Sequence, residues 1–428
     1  MNVAILTMFG KLDTTYSLVN VVAEQLRMLL DAGITVRLLV CEQFEEDSRF
    51  GIYLDSRIEW AKVCNTLDGR QIEWQDYDDP HAQIPPAFFK EADAVADSLV
   101  KELAGIDICI LHDILYQGWY LLHNVALRKA QVQLPHLRFL SFSHSAPLSR
   151  PADVKWPLSA RFIPLPHTTY IALTHVGITP LARQYNVPEG RCRIVYNSLD
   201  PLSFVHNAVR KLAQQTDLFA SDILMVYPGR LTPAKKFDKV AAFAGALKRV
   251  GSGSVKVVFC DFPSGDVDQK LYRDFVRQTG IQFGLDPDDL CFTSEHGFPT
   301  GFPRPAVLDL FTLSNVFVTP SYSELFPLIV LEAASRANLL VLNQAVPSLE
   351  EIGRNLHAVF MRWDALNNGF ETTEHYQPSE QAYYGHFAEE VLALLQENPV
   401  LHAKTQVRQR YSPHWVWKNQ LEPLLLGE

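Results

Sequence analysis

The chain has 428 residues, of which 47% are hydrophobic and 20% are charged, and its formal net charge is −10. This length exceeds one ordinary hydrophobic core, so two globular domains are expected. The negative charge argues against a broad nucleic-acid-binding surface, which needs clustered Lys and Arg. No apolar run approaches the roughly 20 residues of a transmembrane helix, and residues 1–9 lack a secretory-signal pattern, so a cytoplasmic location is expected. The six cysteines form no CxxC pair, and no metal site is predicted.

The first half of the chain alternates strand patterns with helix patterns. Residues 2–6 (NVAIL) are typical of a strand, residues 18–30 carry leucine and valine at helical spacing, and residues 34–40 are typical of the next strand. Further strand candidates are 106–112, 137–144, 169–174 and 192–197. This alternation predicts a parallel, Rossmann-like sheet, and residues 1–200 are assigned to an N-terminal domain of that kind.

The same alternation starts again near residue 221. Its strand candidates are 222–230, 254–261, 290–297, 316–321 and 337–343. We assign residues 201–220 to a linker and residues 221–410 to a second Rossmann-like domain. Residues 411–428 combine two tryptophans with leucines at helical spacing, and this terminal helix is a candidate to pack back on the N-terminal domain. The predicted fold class is α/β, with two doubly wound domains facing across a cleft.

The segment YPGRLTPAKK, residues 227–236, places two cations next to a predicted strand end. Gly229 allows a tight exit from the strand, Arg230 follows at once, and Lys235 comes near a helix start. Arginine offers a planar fork of donors and lysine a mobile point charge, which suits a diphosphate. The alternative is an ordinary turn between strand and helix with solvated cations.

The segment SELFPLIVLE contains two glutamates, Glu324 and Glu332, on either side of an apolar run. If a helix begins just after Glu324, residues 325–328 present free backbone N–H groups at its positive end, which suits an anion. Glu324 then precedes the helix and Glu332 lies about two turns inside it. The alternative is a capping Glu324 with a partly exposed Glu332.

Together, GRLTPAKK and PSYSELFPLIVLEAASRAN resemble the donor-binding half of the retaining GT-B glycosyltransferases of the GT4-like family (glycosyl transferases group 1). The GR-x4-K and Glu-x7-Glu elements both match. In the first half, IDICILHD and FLSFSH look like the histidine-bearing strands of that family. The resemblance implies a metal-independent enzyme, a hexosyltransferase without a cofactor. It would move a sugar from a nucleotide-diphosphate sugar to an unidentified acceptor with retention of anomeric configuration.

The resemblance also implies roles for individual residues. His144 and Glu324 are the catalytic candidates: Glu324 would hold hydroxyls of the transferred sugar, and His144 would contact that sugar near its 6-position. The donor-binding candidates are Arg230 and Lys235 for the diphosphate, Glu332 for the ribose hydroxyls, and Leu325, Phe326 and Leu328 in the loop between the two glutamates. Acceptor-side candidates in the N-terminal half are Gly10, Lys11, His112 and Asp113. For His112 and Asp113, a purely structural role is the open alternative.

The sequence departs from the family where glycine is common, at Leu325, Pro327, Ser198 and Lys236. Two other functions remain open: a nucleotide-sugar epimerase of the same architecture, and a non-catalytic nucleotide-sugar-binding subunit. Residues 150–162, which interleave basic residues with a tryptophan, are a candidate for peripheral membrane contact. An ordinary solvated loop is the favoured interpretation of that segment.

Overall fold

A computed structural model describes residues 1–265, 267–363 and 378–427. The chain divides into two compact units: Met1–Leu199 together with Pro413–Glu428, and Asp200–Ser412. Each unit contains one large parallel sheet with helices around it, so the predicted α/β class with two doubly wound sheets is confirmed. That the two domains face one another across a cleft stays a prediction. Within the described ranges, no helix has the length and apolarity needed to cross a membrane.

The first unit is built on seven parallel strands, with a small antiparallel hairpin beside them. The strands of the sheet are β1 Asn2–Leu6, β2 Thr35–Cys41, β3 Ile58–Val63, β6 Ile108–His112, β7 Arg138–Phe142, β8 Thr168–Ala172 and β9 Cys192–Ile194, and the hairpin is β4 Thr66–Leu67 with β5 Arg70–Gln71. The helices are α1 Ser17–Asp31, α2 Phe88–Glu102, α3 Leu121–Gln133 and α4 Ile178–Tyr185. The order across the sheet is β3-β2-β1-β6-β7-β8-β9.

The core of the first unit lies on both faces of this sheet. Val3, Ala4 and Ile5 of β1 are fully buried, as expected for a central parallel strand covered by helices on both sides. Helix α1 contributes a buried stripe at helical spacing. It ends at Asp31, shortly before Gly33, whose φ of +73° favours glycine.

The C-terminal segment belongs to the first unit. It consists of α13 Pro413–Val416, a π-helical turn Trp417–Leu421, and α14 Glu422–Leu426. Trp417 and Leu421 lie in the core of the first unit, and the Arg138 guanidinium donates to the carbonyls of Leu424 at 2.8 Å and Leu425 at 3.3 Å. The structure therefore places this segment on the N-terminal unit.

The second unit is built on six parallel strands in the order β12-β11-β10-β13-β14-β15. These strands are β10 Ile223–Arg230, β11 Val255–Phe262, β12 Leu290–Phe292, β13 Val316–Thr319, β14 Leu339–Asn343 and β15 Val359–Met361. The helices are α5 Asn207–Gln215, α6 Phe237–Val250, α7 Gln269–Phe283, α8 Arg304–Leu313, α9 Leu328–Ser335, α10 Pro347–Asn355, α11 Pro378–Glu397 and α12 Pro399–Arg410.

The segment 201–220, assigned to a linker from its sequence, differs from that prediction. It contains α5, and Val209 and Leu212 of that helix are fully buried in the core of the second unit. Helix α5 packs against α8. These residues are therefore part of the second unit, because the apolar face of α5 needs a core to cover it.

Both sheets reverse their strand order once. In the first sheet, β1 pairs with β2 on one side and with β6 on the other, and in the second sheet β10 pairs with β11 and with β13 in the same way. Successive right-handed crossovers in opposite directions leave a crevice at the carboxyl ends of the strands at such a reversal. The loops after β1 and β6, and those after β10 and β13, therefore line the two positions where ligands are expected.

Candidate active site

In the second unit, the loops after β10 and β13 carry the predicted donor-binding residues. Strand β10 runs to Arg230, the last residue of the strand candidate 222–230, and Gly229 still pairs with Asp261 and Arg230 with Phe262 of β11. The predicted tight exit at Gly229 is therefore wrong, because the pairing with β11 continues the strand through Arg230. The chain turns only after Arg230, at a short 3-10 turn over residues 233–235.

Lys235 and Glu324 meet at the reversal point of the second sheet. The Lys235 Nζ donates to Glu324 Oε1 at 2.7 Å, with 37% of the lysine side chain and 18% of the glutamate side chain exposed. The backbone around each residue is also held: the Tyr227 hydroxyl donates to the Lys235 carbonyl at 2.6 Å, and the Ser348 hydroxyl donates to the Glu324 carbonyl at 2.6 Å. The structure thus fixes a cation and a carboxylate side by side.

Lys236 adopts a conformation that glycine would favour. Its φ is +53° and its ψ is +49°, in the left-handed region. The side chain is buried, and its ammonium lies 4.5 Å from the centroid of the Tyr322 ring. A cation–π contact of this kind stabilises the lysine and offsets part of the backbone strain. The departure from glycine at this position therefore leaves the neighbouring Lys235 in place.

Helix α9 begins at Leu328, which corrects the predicted start just after Glu324. The cause is Pro327: the residue before a proline is disfavoured in the α conformation, so Phe326 cannot continue a helix, and Pro327 itself is extended. Glu332 accordingly lies one turn into α9 rather than two. In the described part of the chain, the backbone N–H groups of Leu325, Phe326 and Leu328 have no hydrogen-bond acceptor. Three donors thus remain free beside the positive end of the helix.

Glu332 forms an ion pair that the sequence did not indicate. Arg304, the first residue of α8, donates to Glu332 Oε1 through Nε at 3.2 Å and also through Nη2. This contact raises the pKa of Arg304. The arginine is largely exposed whereas Glu332 is mostly covered. One carboxylate oxygen, Oε2, has no partner within the described ranges.

Arg230 lies at the same edge of the sheet as Lys235, on the last residue of β10. Its side chain is exposed. Among the residues that the structure describes, no carboxylate forms an ion pair with it. Its guanidinium is therefore available to an anion from outside the unit.

In the first unit, the predicted histidines come together. His112 is the last residue of β6, and His144 follows β7 by two residues. The His112 Nδ1 and His144 Nε2 atoms lie 2.8 Å apart, and the rings are stacked at a centroid distance of 5.1 Å. His112 is fully buried, and its Nε2 lies 3.0 Å from Oε1 of Gln25. Both ring nitrogens of His112 are thus occupied, which favours the structural alternative for this residue.

Asp113 holds the backbone of His144. Its Oδ1 accepts from the His144 N–H at 2.8 Å, and its Oδ2 accepts from Gln117 Nε2 at 3.0 Å. Asp113 has a φ of +61°, a left-handed conformation that aspartate and asparagine tolerate better than most residues. The three residues His112, Asp113 and His144 thus form one cluster at the carboxyl ends of β6 and β7.

Gly10 and Lys11 lie outside this hydrogen-bonded cluster. Both are exposed in the loop after β1, and the Gly10 carbonyl accepts from the Glu45 N–H at 2.9 Å, next to the end of β2. No hydrogen bond joins either of them to His112, Asp113 or His144 in the described part of the chain. They share only the sheet edge with the histidine cluster.

Burial sets the protonation of this cluster. It lowers the pKa of His144 to about 4 and that of His112 well below its usual value, so both rings are neutral at pH 7. Burial also raises the pKa of Asp113 to about 6, although the His144 N–H and Gln117 partly oppose that shift. A folded-state pKa above the unfolded value of 3.8 means that the ionised Asp113 destabilises the fold at neutral pH, and that this cost disappears as the pH falls from about 6 to 3.8.

The variant Asp113→Asn is therefore expected to unfold with a free energy about 1–3 kcal/mol higher than the parent at pH 7.5. Asparagine removes the buried charge, keeps an oxygen for the His144 N–H, and accepts the left-handed backbone. The gain should shrink to about a third at pH 4.5, where Asp113 is mostly protonated in the folded chain, and it should vanish below pH 3.8. Urea unfolding at the two pH values measures it, with the exposed Asp97→Asn on α2 as the control. Equal differences at both pH values would contradict the assignment.

Two residues outside the predicted set, Gln25 and Arg304, complete these sites. Gln25 is buried on α1 and contacts His112, and it falls on the same helical stripe as Val22 and Leu29. A polar residue on an apolar stripe is a signal that could have identified it. Arg304 pairs with Glu332 across 28 positions and two helices, and no spacing rule points to it.

Comparison with known proteins finds solved structures that are similar to this chain. No family model matches it, and no curated protein matches it. One similar structure is trehalose-6-phosphate from E. coli bound with UDP-2-fluoro glucose, 13% identical over 97% of both chains with a TM-score of 0.38. A second is Anabaena HepE in complex with UDP, 14% identical over 100% of both chains with a TM-score of 0.33. A third is sucrose-phosphate synthase from Thermosynechococcus elongatus, 14% identical over 99% of both chains with a TM-score of 0.36. TM-scores of this size leave the activity of the chain to be inferred from its own residues.

Proposed function

We propose that this chain is a glycosyltransferase that transfers a hexose from a nucleotide-diphosphate sugar to an acceptor. It acts with retention of anomeric configuration and without a metal ion. The observation that carries the proposal is the contact of Lys235 with Glu324, at 2.7 Å across 89 positions of sequence. The contact lies at the reversal point of a parallel sheet, where such sheets bind ligands. A nucleotide sugar offers a partner for each group: an anionic diphosphate and a set of hydroxyls.

The diphosphate is the ligand part that the cations suit. A lysine ammonium has three N–H donors, and Glu324 takes one of those on Lys235, so two remain for phosphate oxygens. Arg230 adds a planar pair of donors, and the free N–H groups at the start of α9 add uncharged ones. As the bond between sugar and phosphate breaks, negative charge grows on the leaving diphosphate, and these fixed donors stabilise it. A bound metal ion has no necessary part in this step.

The carboxylates suit the hydroxyls of the same ligand. Glu324 uses Oε1 for Lys235 and retains Oε2, which can accept from hydroxyls of the transferred sugar. Glu332 uses Oε1 for Arg304 and retains Oε2 for the ribose hydroxyls. In each pair the cation orients the carboxylate, so the free oxygen is held in one place before the ligand arrives.

The first unit supplies residues that contact the transferred sugar and the acceptor. His144 contacts the transferred sugar, and Asp113 fixes the backbone that carries it. Lys11 and Gly10, both exposed after β1, are the acceptor-side residues that remain accessible. His112 acts through His144 because its own nitrogens are occupied.

The proposal is tested by titrating the purified chain with a panel of UDP-, GDP- and ADP-sugars and then following product with and without candidate acceptors, in EDTA throughout. Product that appears only with an acceptor supports the glycosyltransferase. Conversion of the donor sugar without an acceptor supports an epimerase, and binding without any turnover supports a non-catalytic subunit. Failure to bind every nucleotide sugar would refute the donor site, and activity that needs an added metal would refute the metal-free clamp.

A further inference from the structure

A line of hydrogen bonds leads from helix α1 to the exposed side of His144. Gln25 Oε1 lies 3.0 Å from His112 Nε2, and His112 Nδ1 lies 2.8 Å from His144 Nε2. Gln25 and His112 are both buried, at 4% and 0% exposure, so no solvent intervenes between them. The line lies wholly within the first unit.

The chemistry of the three groups fixes where the protons lie. A carboxamide oxygen only accepts hydrogen bonds, so the Nε2 of His112 that faces Gln25 Oε1 carries the proton. Burial keeps His112 neutral, and a neutral imidazole has one protonated nitrogen, so its Nδ1 is an acceptor. The proton between the two histidines then belongs to His144 Nε2.

The same reasoning continues through His144. Burial also keeps this ring neutral at pH 7, so its Nδ1 carries no proton. His144 is only partly buried, and its Nδ1 has no hydrogen-bond partner in the ranges that the structure describes. The cluster therefore presents a nitrogen lone pair, and a lone pair binds a donor such as a hydroxyl and repels a phosphate oxygen or a carbonyl.

We propose that Gln25 is a positioning residue that sets the tautomer of His144, through His112, so that His144 Nδ1 accepts a hydrogen bond from a hydroxyl of the transferred sugar. The inference rests on the proposed function for the identity of the ligand. It adds that the donor sugar carries a free hydroxyl at the point that His144 contacts. The opposite amide orientation of Gln25 would reverse every proton in the line and make His144 Nδ1 a donor.

The tautomers can be measured without any assay of activity. The chain labelled with ¹⁵N-histidine is studied by long-range ¹H–¹⁵N correlation NMR at pH 7.5, where protonated and bare ring nitrogens differ in chemical shift and coupling. The signals of His112 and His144 are assigned by their loss in His112→Gln and His144→Gln. We expect the proton on Nε2 in both rings. A proton on Nδ1 of His144 would overturn the inference.

Variants at Gln25 test whether this residue sets the tautomer. Gln25→Leu removes the acceptor, so the His144 signal should shift to a mixture of tautomers. The kcat/KM for transfer should fall about 10- to 100-fold, the loss seen when the outer hydrogen-bond partner of a metal-bound histidine is removed. Gln25→Glu restores an acceptor and should recover the single tautomer and most of the rate. Gln131→Leu, which removes another buried glutamine of the first unit near the C-terminal end of α3, is the matched control.

The outcomes separate the two proposals. If no sugar is transferred by the parent chain, the proposed function fails while the NMR result still decides the tautomer. If transfer occurs but Gln25→Leu leaves both the His144 signal and the rate unchanged, the role of Gln25 is refuted. If Gln25→Leu does not fold, the spectrum of the parent chain and that of Gln25→Glu still decide, because the opposite amide orientation predicts that Gln25→Glu moves the proton of His144.

Discussion

Glu324→Ala is expected to lower kcat for sugar transfer by about 100- to 1000-fold, as loss of one electrostatic contact to a transition state typically does. The variant removes the carboxylate proposed to hold the sugar and releases Lys235, whose Nζ lies 2.7 Å from Glu324 Oε1. The fold should persist, because the two backbone hydrogen bonds that hold residues 324 and 235 come from Ser348 and Tyr227 and remain. Steady-state kinetics with the donor found in the titration measures the effect, and circular dichroism checks the fold.

The control for this variant is Glu350→Ala. Glu350 also forms an ion pair with a cation of the second unit, Arg354, but on the exposed surface of α10. Its loss should leave kcat within twofold of the parent chain, since exposed pairs of this kind contribute about 0.3–0.5 kcal/mol to stability and nothing to the site. Normal turnover by Glu324→Ala would contradict its assigned role.

Arg230→Ala is the second variant with a large expected effect, a decrease of about 100- to 1000-fold in kcat/KM. The exposed guanidinium forms no ion pair in the described part of the chain, so its removal should change the free energy of unfolding by less than about 0.5 kcal/mol. Loss of activity without loss of stability is the pattern of a residue kept for a ligand. Affinity for the free nucleoside diphosphate should fall as well, measured by calorimetry.

Two further variants sharpen this test. Arg230→Lys keeps the charge but loses the planar fork, so it should recover only part of the rate. Arg336→Ala removes another exposed arginine, at the opposite end of α9, and should leave kcat/KM unchanged. Equal losses in Arg230→Ala and Arg336→Ala would indicate a general effect of charge on the second unit rather than a contact with the diphosphate.

Much of the fold could be predicted because its strands are central and parallel. Strands β1, β6, β10 and β11 are nearly continuous apolar runs, as buried parallel strands are, and their positions follow from the sequence within a few residues. The sequence does not place residues 201–220 in the second unit, because a short helix such as α5 has too few apolar residues to indicate which core covers it. Strand β15 has only three residues, which is too short for a recognisable strand pattern.

The sequence predicts those site residues that come directly after a strand. It does not predict the contacts that form between side chains of two different helices. Lys235 and Glu324 could be selected because each lies just beyond a strand of one parallel sheet. The pattern of apolar residues predicts too early a start for α9 because it runs across Pro327, whereas the conformational restriction on Phe326 before that proline delays the helix to Leu328. Long-range partners such as Arg304 depend on how helices α8 and α9 pack, which spacing along the chain does not encode.

The return of residues 413–426 to the first unit has a consequence for synthesis on the ribosome. The second unit, Asp200–Ser412, is contiguous and can complete its core as soon as its last strand and helices have emerged. The first unit is made earlier but must wait for Trp417 and Leu421, which fill its core. The nascent N-terminal half therefore spends the whole translation time of the second unit with an apolar surface uncovered, a state in which chaperones bind and aggregation begins.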